Sequence, residues 1–113
     1  MPPKISKSFP RLKGKLLTIR YGGTEHDILF TYHSIERCTR WNLRLEDVAE
    51  SLLNPDEVLR GHSGRYIAHK VSKEHLIRAV YEYDGDLPVV ITVYYPYSKR
   101  YYKGAGIYED KIF

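Results

Sequence analysis

The sequence predicts a single α+β domain on three observations. Two helix-periodic stretches stand side by side between residues 32 and 53, four runs rich in β-branched and aromatic residues follow between 57 and 95, and turn clusters separate those runs. Helices segregated from an antiparallel meander pack against one of its faces. The expected architecture is therefore an N-terminal β-hairpin with two helices on one face of an antiparallel four-stranded sheet. The chain's 113 residues suffice for one such core without disulfides and leave no room for a second substantial domain.

Residues 1–14 hold three prolines among lysines and serines, a composition that predicts a flexible basic arm, with the domain proper spanning 15–113. Leu16 to Ile19 and Ile28 to Phe30 are short apolar runs separated by Tyr21-Gly22-Gly23-Thr24, whose glycines supply a hairpin turn. Thr31 is placed to cap a helix from Tyr32 to Trp41, with Ile35, Cys38 and Trp41 on one side and His33, Arg37 and Arg40 on another. Leu45, Val48, Ala49, Leu52 and Leu53 form the buried stripe of a second helix, which Asn54-Pro55 stops.

Strands are expected at Glu57 to Arg60, Arg65 to Val71, Leu76 to Tyr83 and Val89 to Tyr95. The breaks fall at His62-Ser63-Gly64, Ser72-Lys73-Glu74 and Asp84-Gly85-Asp86. The last run is the most apolar, as a central strand should be. If Val89, Ile91, Val93 and Tyr95 face the helices, strict alternation turns Val90, Thr92 and Tyr94 the other way. Ile77, Ala79 and Tyr81 of the preceding strand would face the helices too. Arg78 would then share an open face with Thr92 and Tyr94, a combination suited to holding a phosphate.

Basic residues exceed acidic ones to give a formal charge of +4, and the surplus is concentrated in residues 1–20, where no acid occurs. That bias points toward polyanionic partners. No apolar run is long enough to span a membrane or serve a secretory signal, so a cytoplasmic protein is expected. The lone Cys38 forms no internal disulfide, and His26, His62, His69 and His75 lack ligand spacing, so neither a zinc site nor another metal is expected. Gly104-Ala105-Gly106 lacks the strand-to-helix context of a phosphate loop, so no small-molecule cofactor is expected.

Two constellations carry chemistry. His33, Arg37 and Arg40 recur at i, i+4 and i+7 beside a helix N-terminus, where unpaired N–H groups favour an anion. An imidazole there can move a proton to or from a ribose hydroxyl while an arginine holds the phosphate. On spacing alone, a solvated basic helix face, with a histidine that caps or packs, is the simpler explanation of the triple. The tail interleaves rings and cations: Tyr94, Tyr95, Tyr97, Lys99, Arg100, Tyr101, Tyr102 and Lys103. Such a pattern binds single-stranded nucleic acid by stacking and charge, or else covers a sheet edge with rings.

Phe30-Thr31-Tyr32-His33-Ser34-Ile35-Glu36-Arg37, followed by Leu45-Glu46-Asp47-Val48, Asn54-Pro55-Asp56-Glu57-Val58 and Val90-Ile91-Thr92-Val93-Tyr94-Tyr95, resembles a small prokaryotic family catalogued as of unknown function. That family is placed with toxin-like nucleases of the barnase, EndoU, colicin and RelE fold group. Its pattern has a helix-starting His, an Arg four residues later and another eight after the His, followed by Gly. His33 and Arg37 match, whereas the eighth position is Trp41, followed by Asn42, and Arg40 falls one residue early. Thr92 and Tyr94 match the final strand.

The resemblance implies a RelE-like or barnase-like fold and metal-independent RNA cleavage, with an antitoxin as partner. His33 would be the acid or base, and Arg37, Arg78, Thr92 and Tyr94 would complete the catalytic set. Arg40, Tyr97, Lys99, Arg100, Tyr101, Tyr102 and Lys103 would bind RNA. A noncatalytic RNA-binding module and a protein-interaction domain using the tyrosine-rich surface stand as alternatives.

Overall fold

The computed structural model describes residues 2–100. Strands β1 (Lys4–Pro10), β2 (Gly14–Tyr21) and β3 (Thr24–Thr31) come first, followed by helices α1 (Tyr32–Arg40) and α2 (Leu45–Leu53). Strands β4 (Glu57–Arg60), β5 (Tyr66–Ser72), β6 (His75–Asp84) and β7 (Leu87–Tyr94) complete the fold, and a 3-10 turn covers Ser98–Arg100. All seven strands join one sheet in the order β1-β2-β3-β7-β6-β5-β4.

This corrects the expected four-stranded antiparallel sheet with a separate hairpin. The hairpin is not separate, because β3 pairs with β7 in parallel at Leu29↔Val89 and Phe30↔Val90, and every other neighbour is antiparallel. A parallel pair needs a long crossover, and here α1, α2 and β4 to β6 supply it. The segment expected as a flexible arm also forms β1, paired with β2 from Lys4↔Arg20 to Pro10↔Lys15. Lysine and proline are what an exposed edge strand uses to discourage further pairing, so its composition mimics that of a loop.

The helices follow the expected local chemistry. Thr31 Oγ1 accepts the Ser34 N–H at 3.1 Å and so caps α1. Asn42, at φ 56°, takes the left-handed conformation that ends α1, with the Leu43 N–H returning to the Cys38 carbonyl at 2.8 Å. In α2 no side chain caps the start, but Glu46 and Asp47 occupy the first turn, where acids complement the helix dipole.

Both helices cover one face. Leu17, Ile19, Ile28, Phe30, Ala79, Tyr81, Val90 and Val93 meet Cys38 of α1 and Val48 and Ala49 of α2 there, all buried. In β7 the expected alternation fails for a local reason. Thr92 pairs with Val80 and Val90 with Tyr81, which leaves Ile91 as an extra residue in a β-bulge. The inward set is thus Val90 and Val93 rather than Val89, Ile91 and Val93, while Thr92 and Tyr94 keep the opposite, second face.

Candidate functional site

The parallel β3/β7 ladder lasts for two residue pairs and stops where β3 turns into α1. Beyond that point the edge of β7 is met by the start of the helix instead of by a strand. The Thr31 hydroxyl lies 2.9 and 3.2 Å from the Val90 and Ile91 carbonyl oxygens and pins the helix start to the bulge. His33, in the first turn of α1, consequently reaches past the edge to the second face, where its Nε2 lies 3.2 Å from Thr92 Oγ1. His33 is exposed, whereas Thr92 is buried.

Arg37 sits one turn further along the same side of α1 as His33. Its Nε is buried with no hydrogen-bond partner, and it joins no ion pair among the described residues. Arg40 differs. It bonds Glu36 across one turn at 3.3 Å, both side chains being solvent-exposed, the kind of surface pair that contributes about 0–1 kcal/mol.

Arg78 does not lie on an open face. It is fully buried, with its guanidinium against His69 Nε2, and His69 Nδ1 is 2.8 Å from Glu57 Oε2. A buried chain Glu57–His69–Arg78 thus crosses β4, β5 and β6 at the paired positions Glu57↔His69 and His69↔Arg78. Spacing alone marks His69 as an isolated histidine. Hairpin arithmetic could have found it, because a two-residue turn at Lys73-Glu74 sets Ser72 opposite His75 and, three pairs on, His69 opposite Arg78. Tyr94 is half-buried on the same face, directly opposite Arg78.

The part of the tail within the described residues lies against the sheet while leaving Tyr97 50% exposed. The Tyr97 ring stacks on His75 with centroids 4.5 Å apart, and Tyr95 stacks on it at the same distance. His75 has the parity of Ile77 and Ala79, so this stack stands on the helix side of the sheet, away from Thr92. Lys99 is exposed, and Arg100 closes the 3-10 turn. Tyr101, Tyr102 and Lys103 lie outside the described residues. Among the described residues no group of three or more His, Cys, Asp or Glu is placed to hold a metal ion, and no helix is long and apolar enough to cross a membrane.

Residues 30–95 match the family described as Domain of unknown function (DUF4258). The chain belongs to this family. The match runs from Phe30 to Tyr95, so this DUF4258 domain contains both partners of the His33–Thr92 contact and leaves β1, β2 and most of β3 outside. No curated protein and no solved structure matches it. Asn42, which stands where the resemblance expects glycine, adopts a positive φ of 56°, the conformation for which asparagine is the usual substitute.

Proposed function

We propose that this DUF4258 domain is a toxin-like, metal-independent endoribonuclease of the RelE, barnase, EndoU and colicin group, acting in the cytoplasm and held in check by an antitoxin protein. The observation that carries the reading is the His33 imidazole set against Thr92 at the start of α1, beside an Arg37 whose Nε is buried and unpartnered. A helix start and an uncommitted guanidinium both favour the anionic oxygens of a phosphodiester.

In this reading His33 removes the proton from a ribose 2′-hydroxyl, the 2′-oxygen bonds to phosphorus, and the bond to the 5′-oxygen breaks. That leaves a 2′,3′-cyclic phosphate. The departing 5′-oxygen takes a proton from Tyr94 or from water, Arg37 neutralises the charge growing on the phosphoryl oxygens, and Thr92 orients the imidazole. Arg78, being enclosed beside His69, is given no phosphate contact.

Purified protein incubated with total RNA in excess EDTA should yield fragments ending in a cyclic phosphate. His33→Ala should slow cleavage by roughly 10²–10⁴-fold. Cleavage that needs a divalent metal, or that survives the substitution, overturns the scheme. The burial of Arg78 favours one rival, an RNA-binding module without chemistry. RNA retained on the protein with no product would establish that rival.

A further inference from the structure

On the second face, the N-terminal strands enclose a shallow depression of about 390 Å³ lined by Lys7, Phe9, Arg11, Leu16, Thr18, Glu25 and Asp27. Its floor is made by residues whose neighbours Leu17, Ile19 and Ile28 point into the core, so alternation places it on the side to which Thr92 points. Leu16 pairs with Leu29 and Leu29 with Val89. The depression is therefore about two strand spacings, on the order of 10 Å, from β7. The β1–β2 turn ties it to the helix start, because the Tyr32 hydroxyl donates to the Arg11 carbonyl at 2.9 Å and the Tyr32 N–H to the Lys13 carbonyl at 3.1 Å. Tyr32 immediately precedes His33.

The lining has a distinct chemistry. Phe9 is 51% exposed on an edge strand, a flat apolar ring half open to solvent. Asp27 is oriented by the Thr18 hydroxyl, which donates to its Oδ1 at 2.8 Å, and Glu25 is already engaged by Arg20 at 3.3 Å. Lys7 and Arg11 form no ion pair among the described residues, although carboxylates line the same depression. A simple anion would meet Asp27, and a simple apolar ligand would leave Lys7, Arg11 and Asp27 unused. A nucleotide uses all of them, presenting a stacking face, an amino group to the carboxylate and a phosphate to the cations.

We propose that this depression is a nucleobase subsite for single-stranded RNA. Phe9 stacks on the base, Asp27 accepts from the exocyclic amino group of cytosine, adenine or guanine, and Lys7 and Arg11 hold the neighbouring phosphates. Uracil, with a carbonyl where cytosine has its amino group, is disfavoured. The inference rests on the RNA reading of the His33 site and extends it to strands outside the family match.

Cytosine and uracil 2′-O-methyl oligonucleotides, which lack the free hydroxyl needed for cleavage, test this by fluorescence anisotropy. The cytosine oligomer should bind more tightly. Phe9→Ala should weaken its binding by roughly 5–150-fold, the range that loss of one base stack gives. Phe9→Leu, which keeps apolar cover without a ring face, should show the same loss. Asp27→Asn should erase the preference for cytosine, because an amide can also donate to uracil. Binding unchanged to within about twofold in Phe9→Ala, or a preference that survives Asp27→Asn, overturns the subsite. If Arg37→Ala weakens binding while both N-terminal variants leave it intact, the subsite fails and the His33 site stands. If the Phe9 and Asp27 effects appear but EDTA-resistant cleavage does not, the subsite stands and the nuclease reading fails. Failure of the unaltered protein to bind either oligomer overturns both.

Discussion

Cys38 and His33 lie five residues apart on one short helix and have opposite environments. Burial pushes the Cys38 thiol from 9.0 up to about 12, so it is a core side chain and no nucleophile. Native protein at pH 8 should resist a thiol-specific disulfide reagent and react only when unfolded, and prompt reaction of the native form would contradict this. Tyr81 moves in the same direction, from 10.0 to about 12, chiefly through burial and then through the Tyr83 hydroxyl beside it. The sign of the linkage follows. Above pH 9 the unfolded chain loses the Cys38 proton and above pH 10 the Tyr81 proton, while the folded chain keeps both until about 12. The stability these two groups contribute is thus fully present below pH 9 and is lost as pH rises toward 12, with a limiting slope of about 1.4 kcal/mol per pH unit for each group. In urea titrations across this range, Cys38→Ala should delay the onset of the fall to the tyrosine's range. At this scale His33 was legible in the sequence because capping and helical spacing are local. Arg78 was not, since its burial depends on Glu57 and His69, which arrive from two other strands.

Gly14 shows how one element constrains the next. A Cβ there would sit 2.1 Å from the Phe30 carbonyl oxygen and 2.8 Å from Thr31 Cα, both backbone atoms that cannot step aside. The close approach holds the β1–β2 turn against the start of α1. Gly14→Ala should cost about 1–3 kcal/mol by forcing β2 and β3 apart at this end. At Gly61 a Cβ would stand 3.4 Å from Ile67 Cδ1 and 3.7 Å from the Arg65 carbonyl oxygen, ordinary van der Waals contacts, so Gly61→Ala serves as the control. Urea midpoints separate the two, and equal midpoints would remove the argument. Element recognition from sequence failed at β1, because a lysine-rich edge strand buries almost nothing and leaves little hydrophobic period to read. It worked for β2, β3, α1, α2 and the meander, where apolar periodicity and turn residues agree. Gly22 and Gly23, both at positive φ, make the tight β2–β3 turn as their sequence suggests.

At the scale of the whole molecule, the sheet is two antiparallel parts joined by a short parallel seam between β3 and β7. Helix α1 packs on β2, β3 and β7 and so bridges that seam. Phe30 lies on it, fully buried and paired with Val90. Phe30→Ala should cost about 3–5 kcal/mol, because it leaves a cavity where both parts and the helices meet. Unfolding followed by Trp41 fluorescence and by circular dichroism should remain one coincident transition at a lower denaturant midpoint. Two separated transitions would show that the parts fold independently and that the seam is not structural.

The sequence by itself determined the α+β class, the two helices with their cap and stop, the meander strands and the His33–Arg37 pair. Each of these follows from interactions between residues close along the chain. Tertiary structure alone decided that the hairpin joins the meander, that a bulge at Ile91 reverses the alternation of β7, and that Arg78 is enclosed by His69 rather than displayed. It also decided that His33 meets Thr92, 59 residues away. Those outcomes depend on which strand edges pair and where a ladder ends, and backbone hydrogen bonds of that kind carry no side-chain signature in a single sequence.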